Sequence, residues 1–176
     1  MARPEHPAVA ETLDYLGVLY AEQGNLQEAE PLLRRSLTMR ERLFGPEGVD
    51  VAVSLNHLGE LCLDHGNYLE AESFFLKSRA IREKVLGASH PAVASVEHNL
   101  GLLYTVQGKY GAAEPMYQSA LRTYRETLGC DHCEIALLLH DYASLLQKTN
   151  RGADAEKMKA QAFAIAENHI QRQRKK

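Results

Sequence analysis

The chain has 176 residues, 45% of them hydrophobic and 24% charged, with a formal net charge of −3. This is the composition of a folded protein, and its weak acidity gives no general attraction to nucleic acid. The longest apolar runs, such as Ile135–Leu139, are too short to span a membrane. The opening Met1-Ala2-Arg3-Pro4-Glu5 lacks the apolar centre of a secretion signal, and three cysteines (Cys62, Cys130, Cys133) form no disulfide framework, so a cytoplasmic setting is expected.

Taken in order, the chain writes one line several times. Residues 6–26 read HPAVAETLDYLGVLYAEQGNL, residues 48–68 read GVDVAVSLNHLGELCLDHGNY, and residues 90–110 read HPAVASVEHNLGLLYTVQGKY. The spacing is 42 residues, and the copy at 3–44 shares 15 of 42 residues with the copy at 87–128. Four copies result: 3–44, 45–86, 87–128 and a degenerate, cap-like 129–170, followed by a basic tail at 171–176. A period of this length marks a solenoid, whose repeats cannot bury their apolar faces alone.

Each copy predicts two helices. In copy 1 the first places Val9, Leu13, Leu16 and Tyr20 on one face, with Pro7 in its first turn. Gln23-Gly24-Asn25 breaks the pattern, and Asn25 is a candidate cap for the second helix. That helix carries Leu26, Ala29, Leu33, Ser36, Leu37, Arg40, Leu43 and Phe44, and Gly45 is expected to end it in the left-handed conformation. Pro31 and Pro115 fall in the second turn of their helices, where a slight kink is expected. Small residues recur in columns, Gly17/Gly59/Gly101/Ala143 and Ala29/Ala71/Ala113/Ala155. Large ones recur beside them, Leu16/Leu58/Leu100/Tyr142 and Leu33/Phe75/Tyr117. The small columns mark where paired helices cross closely.

The patterns Leu16-Gly17-Val18-Leu19-Tyr20 with Ala29, Leu33 and Ser36, and Leu100-Gly101-Leu102-Leu103-Tyr104 with Ala113, Tyr117 and Ala120, resemble the tetratricopeptide repeat. The 42-residue period, the His-Pro-x-Val-Ala opening and Gln107-Gly108-Lys109-Tyr110 are similar to its long-helix subclass, found in kinesin light chains and nephrocystin-3-like proteins. The resemblance implies an all-α fold, a right-handed α-solenoid of four two-helix repeats. It also implies a scaffold or adaptor that binds a peptide in a concave groove lined by the first helix of each repeat.

Read by period, that groove would present Glu11, Asp14 and Val18 from copy 1, and Asn56, His57, Glu60 and Asp64 from copy 2. Copy 3 would add His98, Asn99 and Leu102, and copy 4 His140, Asp141 and Lys148. Its first half is acidic, which speaks against an acidic tail and for a ligand basic at one end and apolar towards copy 3. His57, His98 and His140 on successive first helices are candidates to tune such binding with pH.

No catalytic motif, cofactor site, nucleic-acid partner or membrane partner is expected. The glycines are periodic rather than phosphate-cradling, and no serine or cysteine stands in a nucleophile elbow. Cys130-Asp131-His132-Cys133 offers metal-ligand types, but a structural zinc site needs four ligands and no second cysteine pair exists. The repeat accounts for this stretch more simply: His132 stands in the column of His6 and His90, where a turn or capping role is expected. Lys159 and Asn150-Arg151-Gly152 suggest a polar closing face on copy 4. Copy 1 has no such changes, so further repeats, or self-association as an arm of a larger signalling or ATPase protein, are expected through its edge.

Overall fold

The computed structural model describes residues 6–174, with side chains through Gln171; the remainder of the basic tail and the first five residues lie outside the described residues. Eight α-helices make up this part, with no strand among the described residues. They are α1 (Pro7–Glu22), α2 (Leu26–Phe44), α3 (Val49–Asp64), α4 (Tyr68–Leu86), α5 (Pro91–Val106), α6 (Tyr110–Leu128), α7 (Cys133–Lys148) and α8 (Gly152–Arg174). Odd helices start 42 residues apart, and so do even ones. The chain forms two compact units, one ending at Gly87 and the other beginning at Ala88. In the first, α1 packs on α2, α3 on α4, and α2 on α3. In the second, α5 packs on α6, α7 on α8, and α6 on α7. Among the described residues no helix is long and apolar enough to cross a membrane.

The turn inside each pair is built by backbone chemistry. After α1, the Gly24 N–H donates to the Ala21 carbonyl and the Asn25 N–H to the Tyr20 carbonyl, both at 2.9 Å, with Gly24 at φ +78°. This is the six-to-one and five-to-two bonding that ends a helix through a left-handed residue. The same bonds recur at Gly66, at Gly108 and at Asn150, the last being the non-glycine among the described residues that adopts positive φ. Asn25 stands at the start of α2 but its side chain makes no capping bond. Its backbone belongs to the preceding turn, at ψ 63°, outside the extended region from which a side chain caps. Gly45, Gly87 and Gly129 also differ from expectation. Their φ is positive but ψ lies between 153° and 163°, the extended region open essentially to glycine alone.

Of the first helices, α1, α5 and α7 are capped as the histidine column suggests, while α3 starts at Gly48 without a side-chain cap. His6 Nδ1 accepts from the Ala8 N–H at 3.2 Å, His90 from Ala92 at 3.1 Å and His132 from Glu134 at 3.3 Å. Pro7 and Pro91 follow two of these caps at the first helical position, where a missing N–H costs no intrahelical bond. Pro31 and Pro115 lie within α2 and α6, and both helices continue through them to their glycine ends.

Close crossing explains the small columns. A Cβ on Gly17 would stand 2.7 Å from Leu33 Cγ, one on Gly59 2.5 Å from Phe75 Cε1, and one on Gly101 3.0 Å from Tyr117. Leu33, Phe75 and Tyr117 are all buried. Copy 4 has Ala143 in the glycine column and Lys159, flexible and partly exposed, where the others carry a rigid or branched side chain.

Two faces depart from the sequence reading. Leu13 of α1 is buried, yet Val9, Leu16 and Tyr20 are exposed; the buried side of this helix is Ala10, Leu13, Asp14 and Gly17. The helix carries two apolar stripes, and α2 covers one of them. In α3 both stripes are covered, one by α4 and one by α2. Copy 4 bears Lys159, but Leu137, Phe163 and Ile170 are exposed too, so its outer surface is in large part apolar.

Replacing Gly59 by Ala tests the crossing. Alanine gains about 1 kcal/mol of helix propensity, but its methyl must displace a fully buried ring, an overpacking cost of about 1–3 kcal/mol. Urea unfolding followed by circular dichroism is expected to show a variant less stable by up to about 2 kcal/mol; a more stable variant would contradict the crossing.

Candidate functional site

In the first unit, the groove positions meet a buried polar cluster. Asp14 on α1 is 3% exposed, so it is not a free carboxylate on a groove wall. Its Oδ1 accepts from Ser54 Oγ at 3.0 Å and lies 3.4 Å from Arg40 Nη1, and its Oδ2 accepts from His57 Nδ1 at 2.8 Å. Arg40 Nη1 also donates to Ser54 Oγ at 2.8 Å and to the Asp50 carbonyl at 3.1 Å. Ser36 Oγ donates to the Ala10 carbonyl at 2.8 Å. Three helices of two copies are thereby joined through one carboxylate. Burial by itself would raise the Asp14 carboxyl, but the bond and charge of His57, the charge of Arg40 and the Ser54 hydroxyl together hold it below its ordinary value.

Beside this cluster, α1 and α3 border a crevice of about 150 Å³. Val18, Leu33 and Leu61 give it an apolar lining, and Glu22, Glu60 and Asp64 bring three carboxylates. Glu60 Oε1 accepts from the buried Asn56 Nδ2 at 2.7 Å, which orients it. Burial raises the Asp64 carboxyl above its ordinary value, with His65 pulling weakly the other way. Glu11 is exposed on α1 apart from this crevice.

The second unit repeats the histidine–carboxylate strut. His98 Nε2 on α5 donates to Asp141 Oδ2 on α7 at 2.8 Å. His57 and His98 are thus both engaged with carboxylates, whereas His140 is exposed. Asn99 and Leu102 are half-buried on α5, and Lys148 is exposed at the end of α7. A second tie crosses from α6 to copy 4, where Glu114 accepts from Arg151 at 2.6 Å and from the Tyr142 hydroxyl at 2.8 Å. The Arg151 bond, then the Tyr142 bond, hold Glu114 below its ordinary value.

The sequence profile of the tetratricopeptide repeat matches residues 9–50, 50–126 and 93–168. The chain belongs to the tetratricopeptide repeat family. Comparison with curated protein sequences returns no match. Solved structures resemble it over nearly its whole length. BtubC (BKLC) of P. vanneervenii is 19% identical at a TM-score of 0.79, covering 97% of this chain and 68% of that one. A kinesin light chain-type protein of Podosopora anserina, built of nearly identical TPR-like repeats, is 23% identical at a TM-score of 0.70, covering 96% and 80%. A variant of that protein gives 23%, 0.73, 97% and 81%. These likenesses are of fold, and they fall in the long-helix subclass that the sequence resembles. Tetratricopeptide repeats generally mediate protein–protein interaction, and their scaffold is typically not catalytic.

Within this tetratricopeptide repeat chain, the cysteines divide by environment. Cys62 is buried, and burial, followed by the charge of Glu70, pushes its thiol up to about 12. Cys130 and Cys133 are exposed. The His132 nitrogen between them receives the Glu134 N–H, and among the described residues no group of three or more metal-ligating side chains comes together.

The cluster residues Ser54 and Arg40 were absent from the groove reading. Their signal was a polar residue recurring at a core phase of the helix, as Arg40 does within the apolar series of α2. Removing Asp14 leaves Arg40 buried without its carboxylate, so Asp14→Ala is expected to cost about 3 kcal/mol at neutral pH. Because the folded-state carboxyl is depressed, this stabilisation is present above the unfolded value and lost as pH falls through the folded one. Urea titrations should therefore show the gap between wild type and variant closing below about pH 4.

Proposed function

We propose that this chain is an adaptor that captures a peptide segment of a protein partner, the basic end of that segment lying against the first helices of copies 1 and 2. The observation that carries the proposal is the α1–α3 crevice with its three carboxylates. Its volume is that of about five waters, enough for the head of one lysine or arginine side chain. The apolar lining suits the methylene stem, and the carboxylates suit the charge. The proposal assigns the chain no catalytic step.

A cation docked beside Asp64 favours its ionised form, so capture releases protons from a carboxyl that burial has raised. Affinity is then expected to rise with pH through the acid range and to weaken with added salt. Fluorescence anisotropy with a labelled lysine- and arginine-containing peptide checks this. Glu60→Gln combined with Asp64→Asn is expected to weaken binding about tenfold, or about 1.4 kcal/mol. Acidic peptides binding more tightly than basic ones at low salt would refute the reading.

A further inference from the structure

Copies 1 and 4 each expose an apolar surface. Between α7 and α8 lies a groove of about 670 Å³, with Ala136, Phe163, Ala166 and Ile170 in its lining. One period earlier, these positions are Ala94, Leu121, Tyr124 and Leu128. Those residues belong to the core of the second unit, where they share a cluster with Ile135, Tyr142, Leu145 and Leu146 of α7. The groove on copy 4 is therefore the place where the first helix of a following repeat would seat.

A matching first helix is present on the same chain. Three periods before Ile135, Tyr142, Leu145 and Leu146 stand Val9, Leu16, Leu19 and Tyr20. The α7 residues are at most 4% exposed, while their α1 counterparts are 37–49% exposed. In α3 the same column, Val51, Leu58, Leu61 and Cys62, is buried. Among the described residues, α1 therefore leaves its docking column uncovered and the α7–α8 groove leaves its seat uncovered.

Polar groups support the same register. His98 bonds Asp141, a residue in the next copy and one column along, as Asp14 does with His57. His140 borders the copy 4 groove. The position it would meet by that rule is occupied, in α1, by Tyr15, which is 66% exposed. An imidazole and a phenol are a donor–acceptor pair. Lys159, also in the groove lining, holds its amine 3.0 Å from Glu156, leaving its stem to the apolar surface.

We propose that two copies of this chain associate head to tail, α1 of one seating in the α7–α8 groove of the other. Such a contact joins unlike surfaces, so each added copy leaves one of each uncovered and assembly continues until a ring closes or a filament forms. The peptide crevice uses Val18 and Glu22, on another face of α1, and is a separate site.

Sedimentation velocity of the 176-residue chain over a roughly hundredfold concentration range tests the contact. The wild-type mass is expected to rise to at least twice 19.6 kDa, while Leu16→Glu and Phe163→Glu each remain at the single-chain mass. An equimolar mixture of the two variants retains one good helix and one good groove, and is expected to stop at two chains. A wild type that stays at single-chain mass overturns the proposal. So does Phe163→Glu assembling like wild type, which would mean that α1 pairs with α1, or a mixture that forms no pair. Both substitutions fall on exposed residues, and circular dichroism checks their helicity; Leu19→Glu and Ile170→Glu provide a second pair for the same mixing test. Unchanged capture of the basic peptide by Phe163→Glu is expected whichever way assembly turns out.

Discussion

In the first three repeats the first helix presents a residue with no side chain where the second presents a bulky one. Gly17 faces Leu33, Gly59 faces Phe75 and Gly101 faces Tyr117, at distances that a Cβ would close to 3.0 Å or less. The helix axes approach because backbone, not side chain, lies at the contact. Other features depend on that approach. It brings the Ala10 carbonyl within reach of Ser36 and the Ala52 carbonyl within reach of Ser78, both bonds being fully buried. It also leaves the other side of the first helix free to meet a neighbouring copy.

Where copies meet, polar chemistry sets the register. Asp14 receives bonds from two residues of the next copy, and Arg40 reaches the same carboxylate from α2. A buried charge cluster of this kind is a weak source of net stability, since desolvation offsets much of the attraction. Its stronger effect is on alternatives. A one-residue slip of α3 along α1 and α2 would leave Asp14 and Arg40 buried without partners, whereas apolar ridges alone would tolerate several offsets. In the second unit, His98 with Asp141 and Glu114 with Arg151 and Tyr142 join neighbouring copies in the same way.

The helix pairs, their turns and their crossing columns were legible in the sequence, because each rests on a backbone requirement that few residues meet. Gly24, Gly66 and Gly108 occupy positive φ, and the glycines at the crossing have no room for a methyl. Groove chemistry was less legible. Helical period places Asp14 on an outward face, but exposure depends on what the next copy brings, and Ser54 and His57 come from forty residues away or more. The exposed stripe on α1 was hidden for a related reason: its pattern is that of a buried helix, and only the arrangement of neighbours shows which half is covered. Asn25 has the residue type of a cap, yet its backbone is already committed to the turn before it.

The contrast among the three thiols has a practical side. Cys62 is enclosed and burial raises its thiol, whereas Cys130 and Cys133 are exposed, so an alkylating dye reaches those two first. Those two sit at the entrance to α7, and Cys133 borders the hollow against α8. A fluorophore attached there would report on that end of the molecule without an engineered handle, while the core thiol stays silent until the helices come apart.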